Sequence, residues 1–319
     1  MNTHLLAALD IGGTKIAGAL VDGIGRLLVR AQRPTPADRH GSVVMDAVRA
    51  VLGELAEDPR WARVSAVGIG SAGPVDASTG TVSPVNIPGW RDYPLVRHVR
   101  EAVEGRPVVL VGDGVAMTAA EHWQGAARGR DNALCMVVST GVGGGLVLDG
   151  RPYAGPTGNA GHIGHISVDL DGDPCPCGGR GCVERIASGP NIARRALEQG
   201  WRPRDGEEPT AQAVARAARD GDRVAAASFS RAARALAAGM AATAMLVEIE
   251  IAVVGGGVAG AGDVLFTPLR RALADYATLS FVRDLAVVPA MTGTDAGLLG
   301  AAAAAALGHS GGPAVTAGV

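Results

Sequence analysis

Apolar residues in this chain come in short runs that stop at glycine. LLAALDI at 5–11 ends on Gly12-Gly13, IAGALV at 16–21 ends on Asp22-Gly23, and RLLVRA follows. Runs of this length punctuated by turn residues predict two successive hairpins, and so an antiparallel start to a sheet. The period then changes: Val43, Val44, Ala47, Val48, Val51, Leu52 and Leu55 recur at helical spacing, which predicts a helix over 42–57. VSAVGIGSAGPVD and VVLVGDG are strands running into glycines, and TAAEHWQGAA after the second reads as helix. The second half repeats this grammar. ALCMVVSTGVGGGLVLDG at 133–150 is strand, glycine turn, strand and turn, and its likeness to LDIGGTKIAGALVDG predicts two copies of one unit. Alanine-rich helical segments fill 187–246 around the charged loop WRPRDGEEP at 201–209. IEIAVVGGGVAG opens onto a helix, LAVVPA is a last strand, and a final helix starts near Asp295.

Composition narrows the picture. A chain of 319 residues has room for two compact units. With 47% hydrophobic but 3% aromatic residues, the core must be built from Val, Leu, Ile and Ala. A net charge of -2 supplies no broad positive field for a nucleic-acid backbone. The first apolar run breaks too early for a secretion signal, and GLLGAAAAAALG is too short to span a bilayer. The expectation is a cytoplasmic protein with neither nucleic acid nor membrane as partner. Three of the four cysteines are bunched, which is no secreted disulfide framework.

Four glycine turns follow strands, at 12–14, 70–73, 141–145 and 255–257. Backbone N–H groups converging at such turns bind anions. None fits the phosphate-loop pattern GxxxxGK[ST], and GGGVAG is a weak dinucleotide fingerprint. Together with Asp10 and Asp113, each at a strand end, they predict a nucleotide cleft. One acid would take a proton from a substrate hydroxyl and the other would hold Mg²⁺ through water. The residues leave these roles undistributed, and Asp113 also suits a helix cap ahead of Ala116.

Cys175, Cys177 and Cys182, with His165 ten residues before the first, form a closed set of four ligands, which points to structural zinc. A redox pair and three reduced structural thiols are the competing readings. Cys135, within ALCMVV, reads as a core thiol, and His4, His40, His98, His122 and His309 as surface or capping residues. A fifth ligand is superfluous, so His162 and Glu184 are read as substrate contacts aimed by the zinc loop; carboxylate and imidazole together suit a polyol.

These strings, LDIGGTK, STGVGGG, GHIGH, CPCGGRGCVE, VVGGGV and DAGLLGAA, resemble the ROK family of sugar kinases and sugar-responsive repressors over residues 5–305. The resemblance implies an α/β, two-domain actin-like ATPase (ribonuclease H-like) fold. Its small domain would be 1–115 with a C-terminal helix at 296–308, its large domain 116–295 with the zinc loop, and 309–319 a flexible tail. It implies that Asp113 is the catalytic base for a sugar 6-hydroxyl, and that ATP and Mg²⁺ are bound through Asp10, Gly12, Gly13, Thr14, Lys15, Thr140, Gly141, Gly256 and Gly257. Gly73, Asn86, Gly89, Gly112, His162, His165 and Glu184 would face the sugar, with His165 also on the zinc. The molecule would be a homodimer. Because nine residues precede Asp10, the repressor branch is disfavoured.

Two departures from the family pattern bear on the substrate. Family glucokinases read AGExGH where this chain has AGHIGH, with His162 as in N-acetylmannosamine kinases. Family members carry Asn before the catalytic acid, and this chain has Gly112, losing a group expected to meet the sugar's 3- or 4-hydroxyl. The expected activity is ATP-dependent 6-phosphorylation of a hexose or amino-hexose, N-acetylmannosamine first, with the 3-amino hexose kanosamine and glucose as alternatives. Outside that class stand a non-catalytic sugar sensor and a zinc hydrolase or deacetylase.

Overall fold

The computed structural model describes residues 5–309, the side chain of His309 excepted. His4, and all but the first residue of the tail expected over 309–319, lie outside the described residues. In chain order the first half comprises β1 (Leu5–Ile11), β2 (Lys15–Val21), β3 (Leu27–Pro34), α1 (Gly41–Ala56), β4 (Val64–Ser71), the short β5 (Val75–Asp76) and β6 (Thr81–Val82), α2 (Leu95–Ala102), β7 (Val108–Gly112) and α3 (Asp113–Gln124). The second comprises β8 (Ala133–Val138), β9 (Val142–Leu148), β10 (Arg151–Tyr153), α4 (Val183–Ala187), α5 (Gly189–Glu198), α6 (Ala211–Arg219), α7 (Arg223–Val247), β11 (Ile251–Gly255), α8 (Asp263–Tyr276), β12 (Ala286–Pro289) and α9 (Ala296–His309).

The main strands form two five-stranded sheets of one topology, β3-β2-β1-β4-β7 and β10-β9-β8-β11-β12. β1 with β2 and β8 with β9 are antiparallel hairpins; β4 beside β1 and β11 beside β8 are parallel. The two strand–glycine-turn–strand strings thus occupy equivalent places in the two sheets. This is an α/β fold, its sheets covered by helices as parallel strands require.

Side-chain alternation along β1 sorts its residues between two cores. Leu5, Ala7, Leu9 and Ile11 join Val44, Val48, Val51 and Leu55 of α1, while Leu6 and Ala8 lie with Ala120, Ala301 and Ala302 of α3 and α9. Large residues, Ala7 apart, therefore face α1, while alanines beside Leu6 face α9, and each Leu or Ile fully buried on the α1 side contributes about 1.5–3 kcal/mol. On the other side the gain comes from close approach: a β-carbon at Gly68 would run into the Ala301 carbonyl, and one at Gly300 into the Ala116 carbonyl. The apolar tract GLLGAAAAAALG is thus a core helix, and no described helix is long and apolar enough to cross a membrane.

The chain divides into two units. Unit 1 holds the described residues up to Gly125, Pro152–Ala160, and those from Thr294 onward; unit 2 holds Ala126–Arg151 and Gly161–Gly293. The first division falls after Gly125 rather than at 115–116, because α3 packs on α9 and shares its core. A segment inside the expected large domain also returns to unit 1. There Asn159 stands in for a neighbouring strand, its Oδ1 accepting from Val75 N (3.3 Å) and its Nδ2 donating to Val75 O (2.7 Å).

Candidate active site and metal centre

In unit 1 the turn Gly12–Thr14 joins β1 to β2 and is closed by Gly12 N donating to Lys15 O (2.9 Å). Asp10 lies on the face of β1 opposite Leu9 and Ile11, against the first turn of α9, where a β-carbon at Gly297 would sit about 2.5 Å from its carboxylate oxygens. Burial raises the pKa of Asp10; Lys15 works against the shift and Asp113 adds to it. The two acids predicted at strand ends are therefore close enough to feel each other's charge. Asp113 is not a cap: Gly112 occupies that position, and Asp113 is the exposed first residue of α3, its Oδ1 accepting from Gly114 N (2.7 Å). A carboxylate in the first turn is favoured by the helix dipole. At the other end of the turn residues, Asp295 receives a two-pronged hydrogen bond from Arg30 (2.6 and 2.7 Å), which holds its carboxyl below the usual range and ties the start of α9 to β3.

Among the residues expected on the sugar side, Asn86 lies over the Gly12–Thr14 turn, since a β-carbon at Gly13 would meet its amide at 2.6 Å. Gly73 follows β4, and its carbonyl accepts from Val85 N (3.3 Å). Gly89 packs on Arg39 and Gly41, where Trp90 Nε1 donates to Gly41 O (2.9 Å), so this glycine serves the close packing of NIPGW on α1.

Unit 2 carries the equivalent turn, and it is shorter in glycine than the string GVGGG implied. Only Gly141 is in the turn Ser139–Gly141; Gly143, Gly144 and Gly145 are strand residues of β9, where a β-carbon at Gly144 would press on the Cys135 carbonyl. Glu184 reaches this turn: its Oε2 accepts from Val142 N (2.8 Å), and a β-carbon at Gly141 would lie 2.7 Å from it. Gly256 needs its positive φ of 88° and has no room for a side chain against Val138. A β-carbon at Gly257 would be 3.6 Å from Gln212 Nε2 and 3.7 Å from Ser139 Oγ, so the two glycine turns of unit 2 are neighbours. Sequence reasoning passed over Gln212, Asn159 and the contact of Gly297 with Asp10. Gln212 stands alone at the start of an alanine-rich helix, and no spacing marks it.

The four candidate ligands of unit 2, His165, Cys175, Cys177 and Cys182, have donor atoms within 4.8 Å of one another. Two thiolates about 2.3 Å from one zinc at the tetrahedral angle stand about 3.7 Å apart; Cys177 Sγ and Cys182 Sγ are 3.7 Å apart, and Cys175 Sγ is 3.9 Å from His165 Nδ1. The donor set fits zinc, and with four protein ligands it is closed. The loop achieves this through Gly178 and Gly181, both at positive φ, and the latter lies so close to the Asp169 carbonyl that no β-carbon fits. Burial pushes the Cys182 thiol up to about 12, while the Gly179 N–H lowers that of Cys177. A cation between them is what would let the buried thiol ionise. Arg194 and Arg185 reach Asp173 (3.2 and 3.6 Å) and Arg231 reaches Asp169 (2.5 Å), fastening the loop to α4, α5 and α7. His162 is outside the ligand group; exposed, it stacks its ring on His165 at 5.5 Å. Cys135 is buried in β8.

The model of the ROK family matches residues 6–307. A glucokinase of Thermotoga maritima is 35% identical over 309 residues, covering 93% of this chain and 96% of its own, and an N-acetylmannosamine kinase of Yersinia pseudotuberculosis is 37% identical over 295 residues, covering 92% and 96%. Among solved structures, a ROK family glucokinase from Streptomyces griseus in complex with glucose and AMPPNP superposes with a TM-score of 0.77 at 36% identity, covering 95% of this chain and 99% of that one.

Proposed function

This chain belongs to the ROK family, with its actin-like ATPase fold, and we propose that it is an ATP-dependent sugar kinase acting on the 6-hydroxyl of a hexose or amino-hexose. The observation that carries this reading is Asp113, exposed at the head of α3 and within reach of the charge of Asp10, which lies two residues before the Gly12–Thr14 turn. Asp113 takes the proton from the 6-hydroxyl as its oxygen attacks the γ-phosphorus. The bond from that phosphorus to the bridging oxygen breaks, and ADP leaves. The backbone N–H groups of the turns at 12–14 and 139–141, with Lys15, bear the charge that develops on the phosphoryl oxygens. Asp10 is the residue that would hold Mg²⁺, through water; bound there, the ion would neutralise phosphate charge. Zinc on His165, Cys175, Cys177 and Cys182 would be structural, holding His162 and Glu184 toward the substrate. His162 offers an imidazole where related glucokinases carry a carboxylate, and this favours an amino sugar or its acyl derivative, N-acetylmannosamine or kanosamine, over glucose. The active molecule in this reading is a homodimer.

The test is Asp113→Asn. Turnover is expected to fall by about 10²–10⁴-fold, while sugar affinity measured by calorimetry stays within a few-fold of wild type. Turnover close to wild type would remove Asp113 from the role of base. Coupled ADP-release rates for glucose, N-acetylmannosamine and kanosamine, with the phosphate located in each product, test the substrate.

A further inference from the structure

Gly112 stands one residue before the proposed base, and its backbone does not call for glycine: φ of -68° and ψ of 156° suit any residue. Space does not call for it either. A β-carbon there would meet, apart from its chain neighbours, only Gly158 O at 3.4 Å and a Val75 methyl at 3.8 Å, both ordinary contacts. The missing side chain therefore leaves a small space whose one polar wall from elsewhere in the chain is a carbonyl oxygen.

That carbonyl is itself unprovided for. Gly158 is buried, and among the described residues nothing donates to its oxygen. Buried backbone oxygens are normally paired, so this one calls for a donor from outside the chain. It is also held firmly, because Asn159 clamps the segment to Val75 and Ala77 N donates to Thr157 O (3.0 Å). The residue after Gly112 is Asp113, whose carboxylate is another group that only accepts and is close enough to Asp10 for the two charges to interact.

Resting on the reading of Asp113 as base, we infer that the space at Gly112 is a subsite for an ammonium substituent of the sugar, donated to Gly158 O. A hydroxyl has lone pairs that need donors, whereas an ammonium has three donors and no acceptor, which matches a wall of acceptors. The resemblance sets the sugar's 3- or 4-hydroxyl at residue 112, so with the 6-hydroxyl at Asp113 the substituent is placed at C3 or C4. The substrate class is thus a hexose with a free amine at C3 or C4, and acylation of that amine removes both the charge and two of its donors.

The experiment compares kcat/KM of the full-length protein, with ATP, for glucose, 3-amino-3-deoxyglucose, 4-amino-4-deoxyglucose and the N-acetyl derivatives of the two amines. Wild type is expected to prefer one free amine to glucose and to its own N-acetyl form by tenfold or more, as a charge-assisted hydrogen bond implies. Gly112→Asn, whose amide would itself donate to Gly158 O, is expected to cut that preference at least tenfold. Glucose or the N-acetyl forms ahead of both amines in wild type would overturn the inference, as would an equal loss on all sugars in the variant. The wild-type comparison alone decides if the variant does not fold. Undiminished turnover in Asp113→Asn, by contrast, would strike the function proposed above, so the two failures are separable.

Discussion

The two sheets build the same hairpin with different occupants. In unit 1 the residue two before the turn is Asp10; in unit 2 the equivalent residue, paired one step before the turn by the same register, is Val137. The acid of unit 1 sits on the chain's own hairpin and is covered by Gly297 of α9, whereas the acid at the turn of unit 2 is Glu184, brought in from the end of the metal loop onto Val142 N. The third strands differ as well: β3 runs for eight residues, and β10 for three before the chain leaves for the Asn159 segment. One topology thus tolerates two ways of placing a carboxylate at a glycine turn, one by strand register and one by a cross-linked loop. The second way would lean on a metal held by His165, Cys175, Cys177 and Cys182, because the loop from Ile166 to Gly181 has little apolar burial of its own.

That contrast is open to attack at several points. Cys182→Ser should be the most damaging, lowering zinc content by metal analysis and destabilising unit 2 by about 3 kcal/mol or more; an unchanged melting temperature in a zinc-free variant would mean that the loop holds itself. Gly297→Ala, which puts a methyl against the Asp10 carboxylate, should lower kcat by about 10–100-fold with little change in sugar affinity. Its counterpart Gly141→Ala, which pushes on Glu184, should act through KM by about tenfold. If the two alanines give the same kinetic signature, the carboxylates do not have different duties.

Asp10→Asn should inactivate yet stabilise. Burial raises the folded pKa of Asp10, so between the unfolded value and the raised one the folded state binds the extra proton, and stability falls as pH rises through that window. The variant escapes this loss, and its melting temperature should exceed that of wild type by a few degrees at pH 7 but not at pH 3.5. Smallest is Arg30→Ala. The Arg30–Asp295 pair is partly exposed, so about 0.5 kcal/mol is expected. Asp295 has a lowered pKa, so that stabilisation is present above its unfolded pKa and fades as pH drops through the folded one. Melting curves at pH 3 and pH 7 would read the difference.

By itself the sequence determined what is local. Runs of period two and period 3.6 marked the main strands and long helices, the repeated strand–turn–strand strings marked the duplication, and the spacing of three cysteines and His165 marked the ligand set, because each rests on residues within a few turns of one another. It also showed which acids end strands. What it did not carry is which distant residue fills the space beside each one. Gly297 against Asp10, Ala301 against Gly68, Asn159 against Val75 and the open carbonyl of Gly158 beside Gly112 join positions tens to hundreds of residues apart. For the same reason α3 went to unit 1, its apolar face being claimed by a helix that begins at residue 296. Such pairings leave no period in the chain; they are decided by which faces fit once the sheets have formed, and only the tertiary structure records them.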